Sequence, residues 1–267
     1  MDGSLAGRLA WRARRVDPDR YLASLFAAPE ARAYLHALYV FNHELAHVAE
    51  IVREPLLGAI RLQWWGETAQ EAARGSPRAH DAARGLAALF CERGLALAPV
   101  EAMIAARAFD SSPECFADLG ALEAYLDATG GALMRLAAQI LGGPDGGLRE
   151  AALAYGIAGL LRSSLFHARR RKLYLPLELM GDLAPDAAFA AMANSRVTLA
   201  IARLAARARE HFQRARRTRP GKSLPAMLPA ALVPLYLKRL DLKRLGRDVP
   251  IQRRQITLLA AALKGRI

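Results

Sequence analysis

Residues 43–47 spell His-Glu-Leu-Ala-His, a spacing with a definite chemical meaning. Residues four apart on a helix share one face. His43 and His47 could therefore bind one zinc ion, with Glu44 as the general base of a hydrolase. Catalytic zinc takes three protein ligands and keeps a fourth position open. Glu67 and Glu71 lie at distances from which a third ligand can come. No recognisable pattern marks either one. Val48, Ala49 and Glu50 follow His47 with no glycine turn and no third histidine. Two histidines on a helix need no metal, so the zinc hydrolase is the weakest of the readings.

A second set of residues is cationic. Arg169, Arg170, Arg171 and Lys172 are consecutive, Tyr174 follows, and Arg162 sits further back on the same expected helix. Guanidinium groups hold phosphate bidentately, so this set reads as an anion grip. Cations also suit a helix C-terminus that binds nothing, although four adjacent like charges repel without an anion nearby. Trp64 and Trp65 are neighbours on another expected helix and cannot face the same way. Core placement is the plain reading for both, with a cavity wall as the alternative for one.

The elements that must position these groups are helical. Pro29 suits a first helical turn, and Ala31, Tyr34, Leu35, Leu38, Phe41, Leu45 and Val48 recur at helical spacing behind it. Ser112 followed by Pro113 reads as a helix start. Gly130 and Gly131 interrupt an otherwise helical stretch, which calls for close packing or a kink. Breaks fall at LGGPDGG and RTRPGKSLPAMLP. No alternating strand pattern and no internal repeat is visible. The chain reads as one all-α domain over residues 1–267, about ten helices around a shared core, with about 1–15 as a basic N-terminal segment.

Composition narrows the partners. The 267 residues carry 38 basic against 25 acidic side chains, a formal charge of +13. That balance suggests an anionic partner, but no nucleic-acid-binding module is recognisable. Cys91 and Cys115 form no CxxC pair, which fits a reducing compartment. No apolar run approaches the ~20 residues of a membrane span. The expected location is cytoplasmic, peripheral at the inner membrane. The tail carries Lys238, Arg239, Lys243 and Arg244 among apolar residues, an amphipathic membrane-surface element or an ordinary surface helix.

Three stretches, ARAYLHALYVFNHELAHVAEIV, IRLQWWGETAQEA and GIAGLLRSSLFHARRRKLYLP, resemble the squalene/phytoene synthase family. The resemblance runs in order from about Asp19 to Arg266. It implies a single isoprenoid-synthase-like helical domain around a central cavity. In such synthases two aspartate-rich helices face each other and hold Mg²⁺ against the leaving diphosphate. Aligned on LYVFN, the first Asp-Asp-x-x-Asp falls on Ala46, His47, Val48, Ala49 and Glu50, and only Glu50 keeps an acid. Counting back from Tyr174, the second motif falls on Ser163 and His167, with Arg162 retained.

Five expected carboxylates have become one, so no catalytic set is retained. Asn42 and Glu44 match the FN-x-E-L of an aspartate-poor branch that includes respiratory complex I assembly factors. The resemblance therefore implies a non-catalytic protein with no resident cofactor, partnered by complex I subunits or assembly proteins. It could bind an isoprenoid diphosphate or an anionic lipid at an anionic membrane surface. Tyr39, Asn42, Glu44, Trp64 and Trp65 are its cavity candidates. An active prenyl transferase with a remodelled site, using Mg²⁺ with its diphosphate, is the alternative.

Overall fold

Prolines and acidic caps start many of the helices, because both relieve the unpaired N–H groups of a first turn. Asp2 accepts from Ser4 N at 2.7 Å and opens α1 (Gly3–Val16). Asp17 accepts from Arg20 N at 3.2 Å and, with Pro18, opens α2 (Pro18–Ser24). Pro29 opens α3 (Pro29–Ile51) and Pro55 opens α4 (Pro55–Ala73). The computed structural model describes residues 1–52, 54–181, 183–185, 188, 195–240 and 249–267.

The basic N-terminal segment is itself a helix. Leu5, Leu9 and Ala13 form its buried stripe, and it packs on α3 and on α5 (Asp81–Arg93). Leu9 is fully buried, and burial of one such side chain stabilises by roughly 1.5–3 kcal/mol. α3 crosses the middle of the molecule, with Leu35, Leu38, Phe41, Leu45 and Val48 buried along it. α6 (Leu97–Ala106) and the short α7 (Ala108–Ser111) follow.

Ser112 does not cap a helix. Its Oγ accepts from Glu114 N at 3.1 Å in a local turn, and α8 (Leu119–Leu126) starts instead at Asp118, which accepts from Ala121 N at 2.8 Å. The turn closed by Ser112 competes with a helix start, a common use of short polar side chains.

The two expected interior glycines lie in a π-helical turn, Asp127–Gly131, that leads into α9 (Ala132–Leu141). A Cβ on Gly131 would meet Asp127 Oδ1 at 2.4 Å, so a larger residue there would displace the carboxylate that Arg135 holds. Gly142, at φ +62°, then ends α9 in the left-handed conformation.

α10 (Leu148–Arg162) packs along α13 (Ser195–Ala215) through small residues. Ala151, Ala154 and Ala158 on one and Ala200, Ala205 and Ala208 on the other are buried, which lets the two backbones approach closely. Between them in sequence lie α11 (Ser164–Arg169) and α12 (Leu177–Met180).

The apolar tail is core, not a surface element. α14 (Leu224–Met227), the turn Leu228–Leu232 and α15 (Val233–Leu237) bury Met227, Leu228, Leu232, Val233 and Tyr236. Its expected cations Lys243 and Arg244 lie outside the described residues. α16 (Ile251–Leu263) closes the chain. Ten of these helices run eight residues or longer, and there is no strand among the described residues.

Candidate functional site

A cavity of about 800 Å³ opens between the start of α2, the end of α3, α7, the π turn, α10 and α11. Four of the five motif positions line it. Ala46 and Glu50 come from α3, and Ser163 and His167 from the α10–α11 junction, so only His47 of the five stands apart. His47 is half-exposed, its Nδ1 lies 2.6 Å from Glu50 Oε2, and its ring stacks on His43 at 5.2 Å.

Two carboxylates build the polar walls. Asp110 accepts from Tyr125 Oη at 2.5 Å and from Tyr174 Oη at 2.8 Å. Arg107 bridges the set, donating to Asp110 Oδ2 at 3.1 Å and to Asn42 Oδ1 at 3.2 Å. Burial pushes the Tyr174 hydroxyl far above its ordinary range, and the charge of Asp110 adds to that. It is therefore a permanent donor at neutral pH. The His167 ring lies against Tyr174, with centroids 4.7 Å apart. Burial lowers its pKa, and the charges of Asp110 and Glu50 partly oppose the shift.

Asp19 organises the other wall. It accepts from Tyr155 Oη and Arg254 Nη1, both at 2.9 Å, and also from Tyr236 Oη. Arg162, the cation that the resemblance retains, stacks on the Tyr236 ring at 4.4 Å.

The four-cation run divides in two. Lys172 does not hold an anion. Its ammonium donates to the carbonyl oxygens of Phe109 (2.6 Å), Ser112 (2.7 Å) and Glu114 (3.0 Å), and these use all three of its hydrogens. Burial lowers its pKa, with Asp110 opposing. Lys172 ties down the loop after α7. Arg169, Arg170 and Arg171 line the cavity and are exposed. Arg170 lies over the Phe166 ring at 5.1 Å.

Arg171 has φ 55°, the one positive value outside glycine among the described residues. It occupies the left-handed position after α11. Its N–H bonds to Ala168 O at 2.9 Å and that of Lys172 to His167 O at 3.0 Å. This is the two-bond helix ending that glycine usually supplies, and an L side chain there costs roughly 1–2 kcal/mol.

Of the other cavity candidates, only Asn42 reaches the wall. Tyr39 is core, and its Oη is buried with no hydrogen-bond partner. Glu44 pairs with Arg12. Trp65 is buried edge-on to Phe41, and Trp64 is clasped by Arg61 and Arg78. The hydrolase box is not assembled. Glu44 is taken by Arg12, Glu67 and Glu71 both hold Arg78, and among the described residues no three metal-binding side chains converge.

The sequence reading missed Asp19, Arg20, Arg107, Asp110, Tyr125, Tyr155, Tyr236 and Arg254. One signal was available: the chain has only seven tyrosines, and four of them line this cavity.

Magnesium does not fit these walls. Ala46 and Ser163 offer no carboxylate, Glu50 is engaged by His47, and Asp17, Asp19 and Asp110 are each held by arginine. The charge balance is the reverse of a metal site. Among the described residues, eight cations line the cavity (Arg20, Arg107, Arg162, Arg169, Arg170, Arg171, Lys172 and Arg254) against four carboxylates, Asp17, Asp19, Glu50 and Asp110.

Residues 13–260 match the family model for squalene/phytoene synthase. The chain is 28% identical over 237 residues to human NADH dehydrogenase (ubiquinone) complex I, assembly factor 6, covering 85% of this chain and 71% of that protein. The Bos taurus protein of the same name is 27% identical over 259 residues, covering 94% and 78%. Among solved structures, a dehydrosqualene synthase in complex with ligand superposes with a TM-score of 0.79 at 14% identity, covering 98% of this chain and 96% of that one. Squalene synthase HpnC from Alicyclobacillus acidocaldarius gives 0.71 at 19% identity, covering 98% and 94%. At these identities the superpositions establish the fold.

Proposed function

Because this chain belongs to the squalene/phytoene synthase family, we propose that it uses the synthase fold without the synthase reaction, as an assembly protein for respiratory complex I that binds an anionic amphiphile. The observation that carries the reading is the cavity wall itself. Ala46, Ser163 and His167 stand where the resemblance places aspartates, and arginines dominate the lining. A diphosphate or phosphate head group would meet guanidinium directly, with no divalent ion between them. The relatives named complex I assembly factor 6 support the assembly role.

Two experiments test the two halves. Expression in cells lacking the related human assembly factor, with a mitochondrial leader added, is expected to restore assembled complex I. Failure there, together with squalene or phytoene formed from farnesyl or geranylgeranyl diphosphate with Mg²⁺ and dependent on Glu50, would favour the transferase instead.

Arg171→Gly tests the ligand half. Glycine removes the left-handed strain, so the fold should gain roughly 1 kcal/mol. If Arg171 holds an anion, the same variant should bind a soluble short-chain prenyl diphosphate several-fold more weakly, in EDTA as well as in Mg²⁺. A gain in stability with unchanged binding would make Arg171 a structural accident.

A further inference from the structure

The start of α4 carries an apolar face that no described residue covers. Leu56 is 71% exposed, Leu57 49% and Ile60 54%, while Gly58, Leu62 and Trp65 turn the opposite face into the protein. Ile51, at the end of α3, is 55% exposed. Single exposed aliphatics are ordinary, but four from one helix–turn–helix corner are a patch.

The patch borders the cavity. Val52 and Pro55, from the same corner, line the cavity together with Phe166 and Arg169 of α11 and Arg170, which follows it. Glu50 and His167 also line this cavity, so the corner and α11 belong to one rim. Phe166 is 44% exposed with the Arg170 guanidinium against its ring. One rim thus presents aliphatic side chains beside an aromatic–arginine pair and a second exposed arginine. Among the described residues the acids on it are Glu50, already paired with His47, and Glu54.

We propose that this rim docks on an anionic bilayer, with Leu56, Leu57 and Ile60 entering the head-group region and Arg169 and Arg170 meeting lipid phosphates. The charge on the rim matches that partner, as does the formal charge of +13 on the whole chain. No helix among the described residues is long and apolar enough to cross a membrane, so this contact would be interfacial. The inference deepens the reading of the cavity as an amphiphile site. A cavity opening on a docked rim lets a lipid chain move between bilayer and protein without being exposed to water.

The test is flotation of the full chain with vesicles. Wild type should float with phosphatidylcholine vesicles that contain phosphatidylglycerol, and much less with phosphatidylcholine alone. Leu56→Ser/Leu57→Ser/Ile60→Ser should lower the partition coefficient by about tenfold or more at every salt concentration, since apolar burial is not screened. Arg169→Ser/Arg170→Ser should lower it mainly at low salt. The replaced side chains are exposed, so circular dichroism and melting temperature should match wild type.

Undiminished flotation of the aliphatic variant overturns the proposal, as does equal binding of wild type to neutral vesicles. A variant that floats normally yet no longer restores complex I would assign the patch to a protein partner, and the docking inference falls while the assembly reading stands. Soluble short-chain prenyl diphosphate separates the two ideas. Its failure to bind wild type refutes the cavity reading without touching the flotation result.

Discussion

The two carboxylate clusters of the cavity have the same parts and opposite reach. Asp19 and Asp110 each accept from two tyrosine hydroxyls and one arginine. The partners of Asp110 lie 3 to 64 residues away, and they shape the wall against which His167 leans. The partners of Asp19 lie 136, 217 and 235 residues away and bring the N-terminal helices to α10, α15 and α16. One cluster shapes a surface, and the other closes the chain. The comparison also shows what three of the cavity's acids do: Asp17, Asp19 and Asp110 are tied to arginine, the last two also to tyrosine, and so organise the walls.

That difference is open to breakage. α16 buries only Leu258 and Ala261 among its described side chains, so the Arg254–Asp19 pair carries much of its docking. Removing one partner of a buried pair leaves the other charge uncompensated, at a cost of roughly 3–5 kcal/mol. Asp19→Ala should therefore lower the unfolding free energy by about that much. It should also raise hydrogen exchange across Ile251–Leu263 beyond the rest of the molecule. Asp110→Ala should destabilise too, but its excess exchange should stay within Arg107–Ser112 and around Tyr174. Uniform exchange in both variants would show that the clusters are equivalent and erase the distinction.

The same contrast marks what could be read in the sequence. The long helices were legible because Leu35, Leu38, Phe41 and Leu45 repeat at helical spacing, and the two facing motif segments followed from the family resemblance. The clusters were not legible, because no local pattern joins Asp19 to Arg254. Lys172 was misread for a related reason. A lysine that donates to three backbone carbonyls leaves no trace in residue types, whereas one beside three arginines looks like part of an anion grip. The hydrophobic tail was misread because core and amphipathic surface differ only in what packs against them, and that is settled by tertiary structure.

A histidine outside both clusters sharpens the comparison with a pH-dependent effect. His36 is buried, and burial first, then the nearby Arg32, lowers its pKa to about 4. Ser24 Oγ gives its hydrogen to Tyr21 O at 2.6 Å, so it accepts from His36 Nε2–H at 2.9 Å, which places a hydrogen on that nitrogen. The folded pKa lies below the ordinary histidine value near 6.5, so the unfolded chain binds the extra proton first. Stability from this group is full above pH ~6.5 and is lost as pH falls towards about 4, by up to roughly 3 kcal/mol before solvent screening. Denaturant midpoints between pH 7 and pH 4 should fall in wild type and fall less in His36→Gln. Parallel curves would assign the acid loss to the carboxylate clusters instead.

The smallest effect concerns His47, a member of the box that looks most like chemistry in the sequence, and its partner Glu50. His47 and Glu50 are both about 41% exposed, whereas Asp19 and Asp110 are buried and satisfied on several sides. An exposed ion pair contributes roughly 0–1 kcal/mol, because water screens the attraction and two side chains must be ordered to make it. His47→Ala should therefore move the unfolding free energy by no more than about 0.5 kcal/mol. Zinc should leave the melting temperature of wild type unchanged, because a ligand stabilises only by binding the folded state more tightly. The side chains a third ligand would come from, Glu67 and Glu71, are already held by Arg78. A zinc-dependent rise in melting temperature that disappears in His47→Ala would mean that these contacts yield to metal. It would return the His-Glu-x-x-His box to the functional site and place the chemistry of this chain outside the cavity.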